Sequence, residues 1–180
     1  MILLKNTQNR FGLIAILIHW LMAFMLIFMV TLGLYMVRLP VSVQKLKFFG
    51  WHKEWGIVVF MLVIVRLMWR WFNSLPSLHQ LPRWERVSAR GVHIAFYIFM
   101  VLIPVSGWLI TSFAGLPVSF FGWFLLPNLG APNPALQLFF EQVHQWLAYA
   151  LIFAFCLHVG AALKHYFINK DDIMQRMLKP

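Results

Sequence analysis

The sequence predicts an all-α fold: an integral membrane four-helix bundle with both termini on the cytoplasmic side. Three observations carry that prediction. Of 180 residues, 62% are apolar and 11% charged, at a mean hydropathy of +0.77, whereas a soluble domain covers itself with about 25% charged residues. The apolar residues gather into four long runs separated by polar or Pro- and Gly-rich stretches. The 15 Lys and Arg, set against 5 Asp and Glu, cluster beside the ends of those runs.

The first helix is expected over about residues 12–37, because Gly12 to Val37 holds no charge and crosses about 30 Å of hydrocarbon at 1.5 Å per residue. A cleaved signal peptide would have an apolar region of about 7–15 residues ending in small residues. This run is longer and ends in Tyr35, Met36, Val37 and Arg38. The second helix, about 51–72, contains a shorter uncharged stretch, Trp55 to Val65, and crosses only if Arg66 is accommodated inside the membrane. From Gly91 to Phe140 no charge occurs, but Gly115, Pro117, Gly122, Pro127, Gly130, Pro132 and Pro134 interrupt the run. That leaves a third helix over about 91–112, followed by an apolar loop. A fourth helix, about 142–167, crosses back. Residues 1–180 thus read as one transmembrane domain.

Eleven of the basic residues, among them Lys5, Arg10, Arg83 and Lys164, flank one membrane face, and four, Arg38, Lys45, Lys47 and Lys53, flank the other. The positive-inside rule therefore places both termini in the cytoplasm. The net charge of +10 is accounted for as a topology signal, and no compact basic stripe remains to bind nucleic acid. The single cysteine, Cys156, excludes an intrachain disulfide and any cysteine-held cluster and reads as a packing residue.

Ionisable residues within a span are costly and usually functional, and here histidine occupies that position repeatedly. His19 lies in the first helix, His52 opens the second, His93 opens the third, and His144, His158 and His165 mark the fourth. Fourteen residues separate His144 from His158, about 21 Å of rise and roughly 40° short of four full turns, so both face the same interior near opposite membrane faces. His52 is level with His144. His19 and His158 each lie about 10–13 Å from the cytoplasmic end of their helices. Two stacked histidine pairs result, the arrangement a flat haem needs when two imidazoles from different helices clamp it in a bundle core. Zinc is disfavoured, because a structural site wants four ligands at one point. His93 with His165 is a rival inner pair, although both read as lying at the membrane edge. Arg66, fourteen residues after His52, is placed to pair with an inner-haem propionate or to snorkel toward the cytoplasmic interface with Arg70. The absence of a buried carboxylate relay argues against a proton-coupled transporter.

These residues match a known pattern. Arg10, Gly12, His19 and Trp20 are followed by His52, Lys53, Gly56, Arg66, Trp69 and Arg70, then by His93, Tyr97, Pro104 and Gly107. Phe121 and Gly122 come next, and His144, Ala148, His158, Ala162, His165, Lys170, Asp171, Arg176 and Met177 complete the series. From Asn9 to Met177 the chain resembles the bacterial cytochrome b561 family of dihaem inner-membrane proteins. The resemblance implies two non-covalent b-type haems, one held by His19 and His158 and the other by His52 and His144, with no catalytic side chain of the acid–base or nucleophilic kind. It also implies electron exchange with ubiquinone in the bacterial inner membrane, with a small partner such as superoxide, or a redox protein, at the periplasmic face. His93, Lys164 and His165 are the candidates for a quinone site, since reducing a quinone takes protons as well as electrons. Two other readings stay open: a cytochrome b anchor subunit for a dehydrogenase or hydrogenase, and a haem-free transporter or channel.

Overall fold

The computed structural model describes residues 3–179. It contains four helices long and apolar enough to cross a membrane: α1 (Leu13–Met36), α2 (Val43–Trp71), α3 (Arg83–Phe113) and α4 (Pro134–Lys164). Successive helices run antiparallel, joined by two short connections and, between α3 and α4, by the longer segment 114–133. Both chain ends meet the α2–α3 connection at one end of the bundle. There the Asn6 amide donates to the Ser74 carbonyl at 2.9 Å, Arg176 donates to the Ser77 carbonyl at 3.0 Å, and the Trp20 indole donates to the Met177 carbonyl at 2.9 Å. We call this the termini end, and the opposite one the hairpin end.

The helices outrun the apolar stretches that announce them. α2 begins at Val43 rather than near Trp51, α3 at Arg83 rather than near Gly91, and α4 at Pro134 rather than near Gln142. The reason is local chemistry outside the hydrocarbon. Ser42 caps α2 by accepting from the Lys45 N–H at 3.2 Å, and Asn133 caps α4 by accepting from Ala135 and Leu136, each at 3.1 Å, with Pro134 at the first helical position. At 29 residues, α2 is about 43 Å long and its Lys-bearing first two turns project beyond a bilayer core.

The apolar loop expected after α3 is partly ordered as a hairpin, β1 (Val118–Phe120) against β2 (Phe124–Leu126), antiparallel with Val118 opposite Leu126. Phe121 and Gly122 turn the chain with φ of 48° and 77°, and the Phe121 ring stands edge-on to Trp55 of α2 at 5.6 Å. The hairpin is thereby held over the mouth of the bundle.

The driest packing lies at mid-depth, where Met22, Val59, Val63 and Met100 are buried against one another. Elsewhere large side chains such as Phe24, Phe153 and Trp123 point outward, as expected of a lipid-facing surface. Cys156 also points outward, so it does not pack the core as its apolar neighbours suggested; it falls on the outer face of α4. α4 packs along α3, while α1 and α2 pack on each other and α2 on α3. α4 approaches α1 and α2 only sparsely, and the histidines project across those wider gaps.

Candidate metal centres

At the hairpin end His52 of α2 faces His144 of α4, with ring centres 6.1 Å apart. At the termini end His19 of α1 faces His158 of α4 at 6.2 Å. Both are several turns inside their helices: His52 is nine residues beyond the start of α2 and His144 ten beyond that of α4, about 14 and 15 Å of rise. The mid-depth core and the buried Leu151 and Ala154 of α4 separate the two pairs. Two imidazoles on opposite sides of one metal ion, each at a metal–nitrogen bond of about 2 Å, put their ring centres roughly 6.3 Å apart. Both pairs have that spacing.

The hydrogen bonding around His144 fixes its tautomer. Its Nδ1 lies 3.0 Å from the Ile103 carbonyl and 3.0 Å from Ser106 Oγ, whose own hydroxyl donates to the same carbonyl at 2.7 Å. A carbonyl only accepts, so Nδ1 carries the proton and Nε2 keeps its lone pair, the state a metal-binding imidazole needs. Nδ1 of His52 is buried without a partner among the described residues, a rare condition for a polar atom. Each ring also rests on a glycine of a neighbouring helix. A Cβ on Gly33 would stand 3.2 Å from His52 Cε1, and one on Gly107 would stand 3.4 Å from His144 Cε1. The unpartnered His52 Nδ1 and the room that Gly33 and Gly107 leave beside the two rings fit a flat macrocycle that His52 and His144 would hold. Among the described residues no three His, Cys, Asp or Glu side chains are arranged to hold a metal ion by themselves, so each pair offers two donors.

Arg66 turns into the bundle rather than toward the interface. Its Nη2 lies 3.1 Å from His19 Nδ1 and its Nε 3.4 Å from Tyr97 Oη. A guanidinium only donates, so His19 Nδ1 accepts and the proton of the neutral ring sits on Nε2. Binding a metal through Nε2 requires Arg66 to pass that donor to another acceptor.

The residues proposed for quinone do not form one group. His93 is ten residues into α3, three turns from the edge where it was expected, and its ring stands 5.8 Å from that of His158. Lys164 and His165 belong to a separate polar cluster at the termini end. Lys164 Nζ is 2.6 Å from Glu85 Oε1, His165 Nε2 is 3.9 Å from Glu85 Oε2, and His165 Nδ1 is 2.6 Å from Asp171 Oδ2. His165 is thus engaged away from His93, and the rival inner pair is not assembled. Burial pushes the Asp171 carboxyl up, but hydrogen bonds from His165, the Ile173 N–H and Asn169 outweigh it and hold the group below its ordinary value. Glu85 had no signal of its own in the sequence; it is buried at 9% exposure because its partner lies 79 residues away. Lys164→Met should destabilise the protein by about 2 kcal/mol, less than for a fully buried pair because the lysine is partly solvated. Adding Glu85→Gln should recover most of that loss, which a double-mutant cycle in thermal unfolding reads.

Comparison with known proteins gives the family. The family model described as prokaryotic cytochrome b561 matches residues 10–180. Cytochrome b561 homolog 2 of Escherichia coli K12 is 37% identical, covering 96% of this chain and 93% of its own. Cytochrome b561 homolog 1 of the same organism is 30% identical, covering 95% and 98%. A probable superoxide oxidase of Yersinia pestis is 27% identical, covering 71% and 72%.

Proposed function

The chain belongs to the prokaryotic cytochrome b561 family of membrane electron-transfer proteins, and from that premise we propose that it is a dihaem transmembrane electron conduit. The observation that carries the reading is the spacing of the two imidazole pairs, 6.2 Å for His19 with His158 and 6.1 Å for His52 with His144. When bound, a b-type haem supplies reversible one-electron chemistry at its iron. The protein's residues hold, orient and insulate. His144 is presented through Nε2 by Ile103 and Ser106, and the mid-depth cluster keeps water from the space between the pairs.

Arg66, which donates to His19 Nδ1 and Tyr97 Oη, would hold a haem propionate, and His19 Nδ1 would then be free to carry the ring proton. The termini end, with its excess of Lys and Arg, faces the cytoplasm of a bacterial inner membrane. Ubiquinone exchanges electrons there, beside Lys164 and His165, with His93 closer to the metal centre. Arg38, Lys45, Lys47 and Lys53 at the hairpin end give the periplasmic face a positive field that draws an anionic donor such as superoxide; the Yersinia relative named for that activity supports this choice.

The direct test is a reduced-minus-oxidised spectrum of detergent-purified protein, with haem quantified per chain. Two b haems per chain are expected, and one or none would overturn the dihaem reading.

A further inference from the structure

Glu85 lies almost wholly out of water, yet only half of its carboxylate is used. Oε1 accepts from Lys164 at 2.6 Å, while Oε2 is buried without a hydrogen-bond partner among the described residues and faces His165 Nε2 at 3.9 Å. The other ring nitrogen of His165 meets Asp171 Oδ2 at 2.6 Å, and the Asp171 side chain is 28% exposed against 9% for that of Glu85. Carboxylate, imidazole and carboxylate therefore stand in line from solvent to interior. An ion pair that merely pinned α4 to α3 would need Lys164 and Glu85 alone, and it leaves both Oε2 and the facing ring unexplained.

One irregularity of the backbone builds the line. α4 ends in a π-helical turn, His165–Asn169, closed by Lys170 at φ 54° and ψ 35°, and the Asp171 N–H donates to the His165 carbonyl at 3.3 Å. In a continuing α-helix, residues six apart face different sides. The turn instead folds Asp171 back onto the ring of His165. Such π insertions often occur at functional sites.

We propose that Asp171, His165 and Glu85 form a proton-transfer chain that supplies the two protons of quinone reduction at the termini end. The inference rests on the reading that a quinone accepts electrons there. Each quinone takes two electrons from the conduit and two protons from water, and its two carbonyl oxygens become the hydroxyls of the quinol. A proton on Asp171 passes to His165 Nδ1 as Nε2 releases its own to Glu85 Oε2, and Glu85 gives it to a quinone oxygen. Reversal of the His165 tautomer resets the chain. The 3.9 Å step is about 1 Å longer than a hydrogen bond, and Oε2, held by no partner, closes it by a small rotation. Lys164, which also lies 5.0 Å over the Trp84 ring, and the Asn169 amide, 3.3 Å from Nδ1, are the other polar groups facing the line.

The test uses full-length haem-loaded protein, reduced without excess reductant and mixed with the soluble analogue decylubiquinone. In Glu85→Gln and in Asp171→Asn the haem spectrum and content should stay as in the wild type, while reoxidation slows about tenfold or more. Formate should restore much of the rate to Glu85→Ala, since a small acid replaces a proton carrier but not a structural contact. The reduced-minus-oxidised infrared spectrum should show a carboxylic-acid band in the wild type that Glu85→Gln lacks. Rates within twofold of wild type in both variants would overturn the chain alone. A wild type that holds haem but is not reoxidised by the quinone would overturn the quinone reading and the chain with it. If Glu85→Gln loses haem, Asp171→Asn at the exposed end decides by the same criterion.

Discussion

His158→Ala protein, purified in detergent, should carry one b haem per chain instead of two. His144→Ala should also carry one, and it should be the other. The expectation follows from how α4 distributes its donors. The two histidines are fourteen residues apart, about 21 Å along the helix, with Leu151 and Ala154 buried between them. Sites so far apart share no side chain and respond independently, so the double variant should hold none. At the hairpin-end site Ile103 and Ser106 hold the His144 ring and the two glycines flank the pair. At the other site a second imidazole stands nearby. His93 is 5.8 Å from His158 by ring centres, no farther than His19 at 6.2 Å. His19→Ala should therefore be milder than His158→Ala, retaining part of its haem with a shifted spectrum, because His93 stands as near His158 as His19 does. Haem quantification with spectra of the four variants checks the set. A single substitution on α4 that removes both haems, or neither, would break the assignment of one pair to each.

Much of this was legible in the sequence, and the reason is geometric. A span-crossing helix has a fixed rise, so counting residues from its ends gives depth, and depth sets His19 level with His158 and His52 level with His144, whose rings do face each other. The absolute positions were less accurate than the differences. Hydropathy marks where a helix meets lipid and not where its hydrogen bonding begins, so α2, α3 and α4 each start about two turns earlier than their apolar runs. Asn133-Pro134 is a helix-start signal, but it lies in a run of loop-forming residues that obscures it. His93 was misplaced for the same reason, its helix having been started at Gly91. Nothing near Glu85 in sequence indicates its burial. The alternatives for Arg66 were evenly matched because an arginine at that depth satisfies either, and only the proximity of His19 and Tyr97 shows that it turns inward. The hairpin was masked by the Gly and Pro residues that flank it.

Gly33→Leu should empty the hairpin-end site while the other haem stays in place, and Gly107→Leu should do the same from the opposite side. Neither glycine is required by its backbone, since both sit inside regular helices; what each provides is room for an imidazole. A Cβ at Gly33 would stand 3.2 Å from His52 Cε1 and 3.7 Å from Nδ1, and one at Gly107 would stand 3.4 Å from His144 Cε1 and 3.6 Å from Nδ1. Alanine should therefore be graded. At Gly107 it makes ordinary contact and should cost little, whereas at Gly33 the His52 ring must yield by a few tenths of an ångström and the spectrum should shift. Leucine puts three further carbons where the ring lies. His144 would then lose its bonds to Ile103 and Ser106, and with them the tautomer that presents Nε2. His52, whose Nδ1 has no partner to hold it, would be displaced more easily still. Gly160 supplies the control, because a Cβ there meets nothing within 4 Å although it lies two residues from His158. Gly160→Leu should retain both haems. If leucine at Gly33 or Gly107 also retained both, the glycines would be ordinary helix-packing residues and the cradle around His52 and His144 would lose its support.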